Sequence, residues 1–231
     1  MFKVVSDLIC PWCYIGKRRL EAALRALPPE AAASVSWHPF QLNPGMPKHG
    51  VNRKEYCMRK FGSWDRCLEM YAQISAAGKA VGLEFRFEQQ ATVPNTLDAH
   101  RVIWLAAKVG VQDAVMEALF RAYFCEGIDL AKRPALVQVS ALTGLDPGRV
   151  ERLLSSDEGT AEVLAEEREI KSLGVTSVPL FIILDEVAVS GAQPPEALLK
   201  AFSQAQAARR KRRKAAPQTV PSTTGPEGCH V

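Results

Sequence analysis

Strand-like patterning occupies only the two ends of this chain, with a long helical stretch between them, and that split constrains the fold more than any other feature. "FKVVSDLI", residues 2–9, is short, apolar and rich in β-branched residues. It is followed by "CPWCYIGKRRLEAALRAL", where Leu20, Ala23, Leu24 and Leu27 recur at intervals of three and four, the helical period. Pro28 and Pro29 stop that helix. "SVSWHPF" then alternates Val35 and Trp37 against Ser34, Ser36 and His38, which predicts a second strand. Between about residues 52 and 172, "WDRCLEMYAQISAAGKAVG", "NTLDAHRVIWLAAKVG", "VQDAVMEALFRAYFCEG" and "RPALVQVSALTG" each close on a glycine suited to a helix C-terminus. Asn95 or Thr96 is the expected N-cap after Pro94. Strand patterning returns only in "VPLFIILDEVAVSG", two apolar runs parted by Asp185 and Glu186 that predict an antiparallel hairpin, before "QPPEALLKAFSQAQAA" supplies a closing helix.

The order is β-α-β, a helical block, then β-β-α. Without the block it is the element order of a thioredoxin fold, so the fold class expected is α/β with a large all-helical insertion. The parts are 1–51 (strand, helix, strand), 52–172 (the insertion), 173–208 (hairpin and final helix) and 209–231, a basic tail with no apolar period, expected to be disordered. No repeat of fixed period occurs, which argues against a helical solenoid. The composition is 47% hydrophobic, enough to bury a sizeable core. The net charge of +4 is misleading: residues 209–214 are six basic residues, and with Glu227 the tail carries +5, leaving the body at −1. A near-neutral body argues against nucleic-acid binding, and "RRKRRK" reads as a solvated terminus rather than a nucleic-acid patch or import signal. No apolar window reaches bilayer length and no signal-peptide pattern opens the chain, so the expectation is a soluble, cytoplasmic protein with no membrane partner.

The chemistry-bearing motif is "SDLICPWCYIG", residues 6–16. A zinc site needs about four ligands, usually in two paired sets. Here one Cys-x-x-Cys stands alone, and His38, His49 and His100 are isolated, so no metal is expected. A dithiol at a strand-to-helix junction makes better physical sense. With Cys10 at the N-cap, the unpaired amides of the first turn and the helix dipole favour its thiolate and make it the nucleophile. Pro11 then falls at the first helical position, where a missing N–H costs little. Cys13, one turn later, lies beneath and resolves the mixed disulfide. Trp12 between them brings no charge, so the motif does not fix the redox potential. Cys57, Cys67 and Cys125 have no assignable partner and read as free thiols in a reducing cytosol. Cys229 reads as a lone exposed terminal thiol.

Beyond that motif, "WHPFQLNPGMP", "KFGS", "NTLDAHR", "ALFRAYFCEG", "GLD", "GVTSVPLFII" and "AVSGAQPPEALL" occur in order. Over roughly residues 2–203 the chain resembles the DsbA-like thiol–disulfide oxidoreductases, and within them the FrnE-like branch. The resemblance implies a thioredoxin fold with an inserted helical domain. It also implies that Pro179 is a cis-proline facing the dithiol and that the Val178 backbone pairs with an extended substrate. One departure is Thr176-Ser177, where the family pattern has a glycine just before the Val-Pro pair, and it leaves the shape of the substrate groove open. A second branch of the superfamily, the 2-hydroxychromene-2-carboxylate isomerases and kappa-class glutathione transferases, is similar but carries serine where Cys10 stands and uses glutathione.

The function expected is therefore thiol–disulfide exchange on protein or low-molecular-weight disulfides, with no bound cofactor and glutathione as the candidate co-substrate. The alternatives are a glutathione-dependent isomerase or transferase, and a non-enzymatic binding module switched by the dithiol. Catalysis is expected at Cys10 and Cys13 and substrate binding at Val178, Pro179 and Trp12. His100 and Asn95 are expected to line a cleft between the domains. Phe40, Gln41 and Asn43 read as a shaped loop, and Lys17, four residues after Cys13, as a solvated helix residue.

Overall fold

A computed structural model describes residues 1–28, 31 and 33–215, with side chains described as far as Arg212. A four-stranded sheet runs in the order β2-β1-β5-β6. Strand β1 (Phe2–Ser6) is parallel to β2 (Val35–Pro39), with Phe2 opposite Val35, and antiparallel to β5 (Leu180–Ile183), with Phe2 opposite Ile183. β5 pairs with β6 (Val187–Ser190), Leu180 against Ser190, as the hairpin pattern predicts. Alternation along the strands serves two cores, because successive side chains leave opposite faces. Phe2, Val4, Trp37, Phe181 and Ile183 enter the large core, whereas Val5 packs with Phe40 and Ile170, and Leu180 and Ile182 lie against them.

Helix α1 (Pro11–Arg25) crosses β5 at its one glycine. A Cβ built on Gly16 would sit 3.0 Å from Phe181 Cζ and 3.2 Å from Pro179 Cγ, so any larger residue must displace these neighbours by a few tenths of an ångström. Helix α9 (Pro195–Ala215) packs beside α1, with Phe202 stacked on Phe2 at 5.5 Å between centroids. It continues seven residues past the end expected from the sequence, so 209–215 is helix rather than disordered tail. Alanines with Arg and Lys are strong helix formers, and the basic run lies at the C-terminal end, where the dipole favours cations. Arg212 also pairs with Glu186. The rest of the tail, Cys229 included, lies outside the described residues.

The block between the two sheet-forming parts holds α2 (Arg53–Phe61), α3 (Trp64–Lys79), α4 (Leu97–Lys108), α5 (Gln112–Glu126), α6 (Arg133–Ala141), α7 (Pro147–Leu154) and α8 (Thr160–Ser172). A two-residue pair, β3 (Val51–Asn52) with β4 (Thr92–Val93), joins the start of the block to the segment just before α4; two residues are too short to show a period. The block does not have a core of its own: Tyr14 of α1 stacks on Phe120 of α5 at 5.0 Å, within an apolar cluster continuous with the sheet. Lys17 is buried rather than solvated. Its ammonium is 3.2 Å from Glu117 and 3.3 Å from Asp113, and it pairs with Glu21, while Tyr14 donates a 2.7 Å hydrogen bond to Glu117. Acids on α1 and α5 thus draw the lysine into the α1–α5 seam. At the sheet edge, the Gln112 side-chain amide donates to Trp37 O and accepts from Trp37 N, both at 2.9 Å. His38 bridges Ser36 (2.9 Å) and Glu166 of α8 (2.5 Å).

Candidate active site

Cys10 is the N-cap of α1, in extended conformation, with Pro11 at the first helical position. Its backbone donates to Asp7 O at 3.1 Å and accepts from Cys13 N at 3.0 Å, which fixes the turn from β1 into the helix. The first turn contains no acidic residue and no side chain caps it. Its amides therefore meet no competing side-chain acceptor, and an anion at Cys10 is what the helix start favours. Both cysteines are free thiols; Cys10 is 6% and Cys13 1% exposed. Burial pushes the Cys13 thiol well up, and its hydrogen bond to Cys10 adds to this, against weaker opposing bonds from the Ser6 side chain and the Asp7 backbone. Burial thus holds Cys13 in its protonated form.

Opposite the pair, the Val178-Pro179 peptide is cis, and Cys10 Sγ donates toward Val178 O at 3.7 Å. Trp12 projects from the first turn and is 40% exposed. Cys10 thus adjoins the Val178 carbonyl and shares its turn with the exposed Trp12, while Pro179 is buried next to Val178 and Cys13 lies one turn behind. Thr176 and Ser177 stand in the turn before the cis bond.

His100 borders a cavity of about 190 Å3 between β2 and helices α4 and α8, and Asn95 one beside Lys48 and Asp98, but neither lines the cavity at Cys10. His100 is buried with Nε2 3.4 Å from Asp7 Oδ1, behind the turn that carries the dithiol, and Asn95 donates to Met46 O at 2.6 Å and accepts from Leu97 N at 2.9 Å. Thr96, not Asn95, is the N-cap of α4. Gln41 is likewise spent on structure, bonded twice to Glu167 of α8 at 2.8 Å, and Phe40 fills the smaller core. Asn43 hydrogen bonds Tyr56 at 3.1 Å and so touches the cleft from behind.

The far wall of the cleft comes from the helical block, and of the polar residues that α2 and α3 bring to it only Lys60, in "KFGS", falls in a stretch the family resemblance marks. A cavity of about 190 Å3 beside Cys10 and Trp12 is closed by Arg53, Tyr56 and Lys60 on α2 and by Tyr71 on α3. Spacings of three and seven put the three α2 residues on one helical face. Cys57 and Cys67, expected as free thiols, are joined in a disulfide across α2 and α3, with Cα atoms 6.1 Å apart. The interval of ten residues carries no signal; the bond follows from the helix reversal at Gly62, whose φ of 88° is left-handed, which lays α2 against α3.

A family model described as a DSBA-like thioredoxin domain matches residues 2–203. A probable DsbA oxidoreductase of Streptomyces coelicolor superposes with a TM-score of 0.86 at 32% identity, covering 100% of this chain and 98% of that one. The uncharacterized protein YwbO of Bacillus subtilis is 25% identical over 88% of this chain and 96% of its own length. The cytosolic disulfide reductase DsbM of Pseudomonas aeruginosa, 20% identical, shares the fold with a TM-score of 0.58 over 93% of this chain and 99% of that one.

Proposed function

Since this chain belongs to the DSBA-like thioredoxin domain family, we propose that it is a thiol–disulfide oxidoreductase working through the Cys10–Cys13 dithiol. The observation that carries the reading is the placement of the pair: Cys10 at an uncapped helix start, facing Val178 O and the cis-proline, with a buried thiol one turn behind it whose proton burial holds. The reading belongs to the redox branch because both sulfurs are present. A serine at position 10 would leave Cys13 with no partner to resolve. No bound cofactor is required, and low-molecular-weight thiols such as glutathione serve as the exchanging pool. Cytoplasmic residence is part of the same reading; no described helix is long and apolar enough to cross a membrane.

In the proposed cycle the Cys10 thiolate attacks one sulfur of a substrate RS–SR. The S–S bond breaks, one RS⁻ leaves with the electron pair, and Cys10 is held in a mixed disulfide. Cys13 then loses its proton and attacks Cys10 Sγ, forming the Cys10–Cys13 disulfide and expelling the second RS⁻. The substrate gains two electrons and the protein dithiol loses two, and the two thiol protons pass to the released thiolates. Val178, through its backbone, aligns an extended chain flanking the disulfide, and the Trp12 ring offers an apolar platform beside it. The reverse sequence makes a disulfide in the substrate, and the thiol pool sets the direction.

The test is reduction of insulin with dithiothreitol as donor. Cys10→Ser is expected to abolish catalysis, and Cys13→Ala to accumulate mixed disulfides that migrate as larger species without reductant. Full activity in Cys10→Ser would overturn the reading.

A further inference from the structure

The cavity beside Cys10 is walled by two cations and no acid. Arg53 and Lys60 line it, along with Tyr56, Tyr71 and apolar side chains, and no Asp or Glu does. Arg53 is 8% exposed, yet among the described residues no carboxylate lies within 4.0 Å of it. Its Nε donates to Gln90 O at 2.9 Å, Nη1 to Tyr71 Oη at 2.9 Å and Nη2 to Tyr123 Oη at 2.6 Å. A guanidinium has five N–H donors, so two remain without a described protein acceptor. The faces of Tyr71 and Tyr123 lie 5.7 and 5.6 Å from its centre, a partial substitute for a counter-ion. The buried acid of this region, Asp7, is taken up by Leu42 N at 2.7 Å and faces His100. Lys60, at the exposed rim, donates to Tyr56 at 2.6 Å and has no described carboxylate partner either. A buried cation without an anion is costly, and sites with spare planar donors are those suited to carboxylates.

We propose that this wall is a carboxylate-binding subsite, so that the disulfide preferred at Cys10 is a small one bearing a carboxylate a few bonds from its sulfur. The inference rests on the oxidoreductase reading and adds the substrate class. Volume agrees: about 190 Å3 is below the roughly 300 Å3 at which pockets enclose a whole drug-sized ligand, so the cavity takes one arm of a small disulfide while Trp12 and Val178 meet the other. Arg53 would grip the carboxylate at depth and Lys60 would draw it in at the rim.

Three disulfides of similar size test this on the full-length reduced protein: dianionic 3,3′-dithiodipropionate, neutral 2-hydroxyethyl disulfide and dicationic cystamine. Each second-order rate constant is divided by that of the same disulfide with free dithiothreitol, which removes intrinsic reactivity. The expected anionic-to-neutral ratio is about tenfold, with cystamine slowest, as one charge-assisted contact would give. Rising salt should lower that ratio, as should Lys60→Gln at the exposed rim, and Arg53→Lys, which keeps the charge but loses the fork. A ratio near one in the wild type would overturn the subsite, since cations that merely favour the Cys10 thiolate speed all three equally. A preference undiminished in Lys60→Gln would overturn it too, even if Arg53→Lys failed to fold. Failure to reduce any of the three would instead overturn the oxidoreductase reading.

Discussion

Replacing Gly16 by alanine separates the stability of α1 from the geometry of the dithiol. On propensity alone, alanine in a helix is worth up to about 1 kcal/mol over glycine. At Gly16 the added methyl meets Phe181 Cζ at 3.0 Å and Pro179 Cγ at 3.2 Å, against an ordinary contact of about 3.5 Å or more, so helix and strand must part by a few tenths of an ångström. Overpacking of that kind costs about 1–3 kcal/mol. Gly148 in α7 is the control, because its nearest neighbour would be Arg152 Nη1 at 3.5 Å. Gly16→Ala is therefore expected to be about 1–3 kcal/mol less stable than Gly148→Ala by urea unfolding, which is about 2–4 °C in Tm per kcal/mol for a chain of this size. The same displacement moves Cys10 relative to Val178 O, 3.7 Å away. If a 1 Å misplacement costs about 100-fold in rate, about 0.3 Å costs about fourfold in kcat/KM for insulin reduction. The reasoning is refuted if Gly16→Ala matches Gly148→Ala in stability and the wild type in rate.

Three further outcomes follow from the packing. In Cys10→Ser, burial remains the largest influence on Cys13, so its rate of alkylation by iodoacetamide should climb only above the ordinary thiol range of about pH 8.5; a plateau below that range would contradict the burial argument. Burial raises the Glu117 carboxyl, but Arg18, Tyr14 and Lys17 outweigh it and hold it below the ordinary range. A depressed folded value means stability present above about pH 4.3 and lost as pH falls through that lower value, so Glu117→Gln should cost about 2 kcal/mol at pH 7 and flatten the acid limb of the stability curve. Replacing both Cys57 and Cys67 by alanine opens a loop of about ten residues, for which chain entropy gives about 3 kcal/mol; calorimetry showing no loss would mean the denatured chain is already constrained there.

Much of the thioredoxin half was legible because its signals are local. The β1-to-α1 junction follows from β-branched residues meeting a proline at the first helical position, and the hairpin from two apolar runs around Asp185 and Glu186. The helical block was legible as helix but not as a wall of the site. Arg53 and Tyr56 carry no motif, Lys60 only opens "KFGS", and their place beside Cys10 depends on α2 being folded back over it, a long-range packing outcome. Lys17 looked solvated because its partners on α5 lie about a hundred residues on. The Cys57–Cys67 bond was hidden for the same reason, since ten residues of sequence say nothing about the reversal at Gly62. His100 and Asn95 border cavities between the first part of the chain and the helical block, but not the one beside Cys10, because His100 is held next to Asp7 and Asn95 on Met46 O.

The amide of Gln112 has a consequence for how these molecules behave in a crowd. A sheet whose outer strand offers unpaired N–H and C=O groups is a template on which another chain can lay its own strand, the first step of fibril growth. At β2 the Trp37 pair is already occupied by one side chain imitating a neighbouring strand, and Pro39 has no N–H to offer. At that border one ladder position is held by a single glutamine, and among the described residues β6 forms the opposite border of the sheet. Gln112→Ala should leave the dithiol in place and yet raise the tendency to aggregate on standing.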